Sequence, residues 1–496
     1  MVLPVGTGTL LASHAKAPTE LVSQVSWLCF ALVVALLCWA WSRADSLRRT
    51  LLALEDPRVF ALLRIGFALM TVQCFWNMFP HWRFLWSDEG LFDAEYARDR
   101  LGRDALSGWS PEHGFFDWRA MMHFPWHKPS LLYAWSSPAY VHAYMIAFFL
   151  VLFAYAVGLA SRVMGVVAWL MMTGVYERNA LYWEGTDTVY RVFWFILLWC
   201  RTGHAWSVDN WLRCAWLRKH GRLAVPGQRV HGGKQPVYRM VPSWPKYLMM
   251  AQLAAIYIST GTVKTGAIWK HGNALYYALN MDHFYRIEWW TQQVSAALGT
   301  NVFRVMTWVT HWWEMCFPVL LVGMILKFQL EQREQAWYRA QDASTMRRWF
   351  GRGALMASYF VLWRITVLAY PFCLEMKDEV EVDPGPGLAM LHAAYGLAIP
   401  LVVALWFLLG RYPIVLARAG MRLRGFVLPR DIRVDQQAFR RWLLGRRVWL
   451  GLGVMFHGFL ILFMNIGMFP FIMLMTYVAY LRGEELVRVL RFLARP

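Results

Sequence analysis

The chain carries a run of nineteen residues without a charge, QVSWLCFALVVALLCWAWS from Gln24 to Ser42, and further mostly apolar runs follow it. Such a run has few stable homes. A bilayer core is about 30 Å thick, the span of a helix of about 20 residues, and in lipid only a helix or a closed barrel satisfies its own backbone hydrogen bonds. Comparable stretches lie near residues 59 to 79, 138 to 160, 163 to 177, 188 to 203, 245 to 264, 302 to 326, 354 to 374, 387 to 410, 448 to 467 and 469 to 482. Strand-type alternation is weak throughout. The expected fold class is all-α: a polytopic integral membrane helix bundle of about eleven transmembrane or re-entrant helices. With 58% hydrophobic and 16% charged residues, the composition excludes an ordinary soluble domain.

The formal charge of +19 does not point to nucleic acid, because the basic residues fall in the connections between apolar runs rather than on one soluble face. Ten arginines between Arg411 and Arg447 face only Asp431 and Asp435, the pattern of a cytoplasmic loop held by the positive-inside rule. The connections after Arg43, around Arg162, from Arg213 to Lys246 and from Lys327 to Arg352 are also basic, whereas EMKDEVEVDPGPG, Glu375 to Gly387, is acidic. The alternation predicts an N-terminus outside and a C-terminus in the cytoplasm. The first apolar run has no A-x-A-like site after it and reads as a retained helix. The seven cysteines include no CxxC pair and imply neither a disulfide framework nor a zinc site.

Four regions follow. Residues 1–55 hold a tail and the first span, and residues 56–325 a core with an external aromatic cap at 80–137 and an interfacial segment at 265–300. Residues 326–446 hold two further spans with basic inner loops, and 447–496 a final hairpin.

Ionisable groups at membrane depth are costly, so each needs a partner or a function. Lys264 ends the apolar run IYISTGTVK and has two readings: a snorkelling anchor among headgroups, or a general base. Desolvation makes an ammonium easier to deprotonate, and the aromatic segment after it would close over the site. His311 and Glu314, three apart in HWWE, share a helix face and must point inward. They read as a proton relay or metal-ligand pair, or as a carboxylate bonded to an arginine such as Arg64, Arg191 or Arg364. No second ExxH set supports a metal. His457 and Asn465 lie near one face of the penultimate span, before the break at Gly467 and Pro470. They either line a cavity or bond helix to helix. Asn179 and Asp187 flank a short turn as capping or ligand-facing residues.

These pieces occur in the order of a known family. RVFALLRIGFALM, SDEGLF, YERNALYWEGTD, WSVDNW, IYISTGTVKTGAIWKHGNALYYAL, HWWE and FHGFLILFMNIGMFPFIML together resemble the HTTM domain, the membrane domain related to vitamin K-dependent gamma-carboxylase, over roughly residues 56–325 and 447–482. The resemblance implies that Lys264, in the GxxK…W element with Trp269, is the base in oxidation of a reduced quinone. It also implies that His457 and Asn465 line an outer-leaflet cavity, and that the membrane is a bacterial inner (cell) membrane. WEGTDTVYR lacks the histidine of the carboxylase pattern between Trp183 and Arg201, and the chain stops soon after its last span. Both departures point away from carboxylation of a protein and toward a quinol or another lipid.

Three classes of function stay open on these residues. The first is an enzyme with Lys264 as base, His457 and Asn465 orienting the substrate and Glu314 tuning the charge balance. The second is a transporter or proton-coupled channel through His311 and Glu314, although no inverted repeat is evident. The third is a non-catalytic membrane scaffold of an envelope or secretion pathway. The partners expected are the lipid bilayer and a quinone or lipid-like molecule; the oligomeric state is not encoded in any motif.

Overall fold

The computed structural model describes residues 19–96, 130–179, 185–224, 233–264, 266–321, 323–325, 344–375, 385–412, 414–417, 422–423, 426–427, 432–436, 438, 442 and 445–493. These residues are largely helical, and the strands are only two to four residues long. The fold is all-α. Among the described residues, six helices are long and apolar enough to cross a membrane: Thr19–Ser42, Arg58–Asn77, Pro138–Val157, Thr345–Pro371, Gly385–Arg411 and Arg446–Phe463. Asn301–Cys316 with Pro318–Ile325 adds a seventh if that pair, bent by 42°, is one span. The protein is therefore an integral membrane protein.

The described helices do not by themselves establish the expected count of eleven. Helices do form at Ser161–Arg178, Gly185–Trp199 and Trp244–Val263, but they fall short in length or apolarity, and Phe469–Tyr480 is a shorter apolar helix. Polar residues at their ends, such as Arg162, Glu177, Lys246 and Thr260, cut into the apolar part.

The chain forms two compact units. One comprises Met1–Thr50 and Ile325–Leu444. Here Thr19–Ser42 packs along Thr345–Glu375, and Arg347 joins them by donating to Asp45 Oδ2 at 3.0 Å and to the Trp41 carbonyl at 2.8 Å. Much of the basic stretches 327–352 and 411–447, and of the acidic stretch 375–387, lies outside the described residues.

The second unit comprises Leu51–Met324 and Gly445–Pro496. Its aromatic core is built around Arg58–Asn77, where Phe67 stacks on Tyr190 at 5.5 Å between ring centroids. Two polar clamps hold its helices. At one, fully buried Arg64 donates to the carbonyls of Thr202 and Trp206, which steadies Trp206 at a φ of 45°. Asp209, three residues on, accepts from the N–H groups of Ala160 and Ser161 at 2.7 and 2.8 Å and from the Ser161 hydroxyl at 2.6 Å. A carboxylate there satisfies orphan donors at the start of Ser161–Arg178 and complements its dipole. The WSVD sequence is thus a structural fastening in this fold.

At the far end of Ser161–Arg178, Arg178 donates to the Phe92 carbonyl at 2.8 Å and Asn179 Nδ2 to the Leu85 carbonyl at 2.9 Å. Asn179 therefore ties the described part of the aromatic cap to this helix. Of that cap, residues 97–129 lie outside the described residues.

Candidate functional site

The helix Trp244–Val263 carries Tyr257, Thr260 and, as its C-cap, Lys264. The spacing i, i+3, i+7 puts them on one face, and all three line a cavity of about 640 Å³ in the second unit. Gly261 stands between them for a steric reason: a Cβ there would run into Met315 of the helix Asn301–Cys316. Without one, the two helices approach closely enough for His311 Nε2 to donate to the Gly261 carbonyl at 2.9 Å.

That approach joins Lys264 to Glu314. The ammonium donates to the Glu314 carboxylate, whose side chain is 5% exposed against 21% for Lys264. The Lys264 Nζ also lies 5.0 Å from the centroid of the Trp269 ring, a cation–π distance. Of the arginines expected as partners for Glu314, Arg64 serves the main-chain clamp and Arg191 donates to Glu177 at 2.6 Å. A lysine fifty residues earlier in the chain, not an arginine, balances the buried carboxylate.

The opposite wall is the break after Arg446–Phe463. Met464 is extended and bridges Tyr285, while the Asn465 N–H donates to the Phe284 carbonyl at 2.6 Å and the Arg286 N–H to the Phe463 carbonyl at 3.0 Å. Gly467, at a φ of 59°, takes a left-handed turn that a residue with a Cβ adopts reluctantly, and Pro470 then opens the next helix. Asn465, Ile466 and Gly467 all line the cavity. Asn465 is exposed and sits at its mouth with Gly185, whereas Tyr257 and Glu314 are buried at its inner wall. Asp187 lies in the first turn of Gly185–Trp199, beside the lining residues Thr186 and Val189.

His457 is fully buried and stands behind this wall. Its Nε2 is 2.8 Å from the Tyr257 hydroxyl, which is 2.6 Å from the Tyr477 hydroxyl. The His457 Nδ1 has no hydrogen-bond partner among the described residues. An orphaned N–H donor in an apolar interior costs more than a bare ring nitrogen, so the arrangement favours the tautomer with its proton on Nε2, donated to Tyr257. His457 thus orients Tyr257, and Tyr257 is the residue that faces the cavity. Sequence reading passed over Tyr257, although its seven-residue offset from Lys264 was visible.

Lys264, Glu314 and Asn465 therefore meet at one cavity; Trp269 and His311 support its lysine end; His457 acts through Tyr257; Asn179 is part of the cap fastening. No group of three or more metal-ligating side chains occurs among the described residues.

The volume falls in the range of small-molecule sites, and most of the lining is apolar, including Ile256, Phe284, Phe456, Phe469 and Met473. Such walls suit a ring or an acyl chain. The ion pair is a place on them where a proton could be exchanged or an oxygen anion held, beside the imidazole of His283 on the same lining, and its net neutrality is what lets it sit in an apolar wall. No protein-family model, curated protein or solved structure matches the chain, so what the cavity does has to be read from its own geometry.

Proposed function

We propose that the protein is an HTTM-like membrane enzyme, related in type to vitamin K-dependent gamma-carboxylase, that acts on a quinol or another lipid in this cavity with Lys264 as its base. The observation that carries the reading is the Lys264–Glu314 pair set in the wall of an otherwise apolar cavity of about 640 Å³. A ligand hydroxyl brought to the pair meets a group able to take its proton. When the proton shared by the pair rests on Glu314, Lys264 is a free amine. It accepts the hydroxyl proton, and the ammonium formed faces the oxyanion it has made. Tyr257, held by His457, contributes a polar edge at the inner wall, and Asn465 one at the mouth.

The topology proposed with this reading has about eleven crossings or re-entrant segments in a bacterial inner membrane. The N-terminus is outside, the C-terminus cytoplasmic, and the cavity in the outer leaflet. The basic connections and the acidic stretch Glu375 to Gly387 support it.

Turnover of a hydroquinone probe by the reconstituted protein, with dioxygen supplied to take its two electrons, tests the assignment. Lys264→Ala should abolish it. Because removing one partner of a buried pair costs about 3–5 kcal/mol, the double variant Lys264→Met with Glu314→Leu serves as a folded control that keeps the walls. Both variants should retain the probe in the cavity without turning it over. Wild-type turnover in either variant sinks the role of Lys264. Proton-coupled flux of a solute in proteoliposomes, lost in Glu314→Gln while hydroquinone turnover is absent from the wild type, would replace the enzyme with a transporter.

A further inference from the structure

We propose that the helix Val208–Lys219 and the turn after it form a surface that binds anionic phospholipid headgroups, independently of the cavity. The helix packs only one strip inward, through Asn210, Cys214 and Leu217. The rest of its girth carries Trp211, Leu212 and Trp216, which are 67%, 51% and 52% exposed. Interleaved with them are the exposed cations Arg218 and Lys219. Gly221, at a φ of 61°, turns the chain back, and the Gln235 N–H bonds the Arg222 carbonyl at 2.8 Å, so Arg222 is held beside the helix end.

The charge on this surface is one-sided. Between Asp187 and Asp282 the only acidic residue is Asp209, and its carboxylate is already bonded to Ala160 and Ser161. No carboxylate pairs with Arg218, Lys219 or Arg222 among the described residues. Exposed tryptophans set among unpaired cations match a membrane interface, where indole rings settle at headgroup depth and cations meet phosphate. In the chain the helix follows Gly185–Trp199 and precedes Trp244–Val263.

The test uses the full chain, solubilised in detergent, stripped of lipid, and titrated separately with dioleoylphosphatidylglycerol and dioleoylphosphatidylcholine while bound lipid is counted by native mass spectrometry. The wild type should retain the anionic lipid preferentially, and about 0.5 M salt should weaken that preference. Each Lys or Arg near headgroups is worth a factor of about five, so the triple variant Arg218→Gln, Lys219→Gln, Arg222→Gln should lower the preference by about a hundredfold. Trp211→Ala with Trp216→Ala should reduce retention of both lipids. A triple variant with the wild-type preference, or a wild type with none, overturns the proposal. So does a detergent-solubilised dimer that the tryptophan variant dissociates, because the surface would then belong to a second copy of the chain.

Discussion

A methyl group at position 261 would push Lys264 and Glu314 apart, because it would have to occupy the space of Met315. The site thus depends on what one residue lacks as much as on its charges. The same helix turn supplies Tyr257, whose hydroxyl joins His457 to Tyr477. Tyr257→Phe would leave both ring nitrogens of His457 without a partner, and an unsatisfied buried polar group costs about 1–3 kcal/mol. Tyr477→Phe keeps the His457 bond and should cost less. Reversible unfolding in mixed micelles should rank the two variants in that order; equal stability would show that His457 does not depend on Tyr257. Lys264, Glu314 and Asn465 were recognisable in the sequence because polar residues in apolar runs are rare. Their pairing was not, since helical periodicity tells which residues share a face and not which faces meet.

At the scale of elements, helix ends do most of the polar work in the second unit. WSVD is legible as a motif, but only the fold shows that Asp209 fastens the start of another helix. The last helix, Gly483–Leu493, is fastened similarly. Burial alone would raise the pKa of Glu485, but the Arg482 N–H and the Arg446 guanidinium outweigh it and hold the carboxyl below its ordinary value. A carboxylate so held adds stability above its unfolded pKa of about 4.3, and that stability is lost as the pH falls through the lower folded value. Glu485→Gln should therefore lower the Tm at pH 7 and flatten its fall between about pH 5 and 3, as measured by thermal unfolding in detergent. An unchanged acid limb would exclude Glu485 from it. Asp56, which accepts from Arg58 at 2.8 Å, is held down in the same way against its burial and adds to the same limb.

For the whole molecule, the long apolar runs made the all-α membrane class legible, because a bilayer leaves such runs little else to do. The number of crossings was less legible. The helix Trp244–Val263 carries Lys246, bonded to Glu55, and Gln252 among its apolar residues, and so falls below the apolarity of the long helices. The proposed chemistry requires the cavity to take an amphiphile whose polar end meets Lys264 and Glu314. Mass spectrometry of the organic extract of the protein, purified in mild detergent, tests this most directly. A stoichiometric quinone or hydroxyl-bearing lipid is expected on the wild type, depleted in a variant with the cavity filled by Met473→Trp. Bulk phospholipid alone, in the same proportion on both, would contradict it.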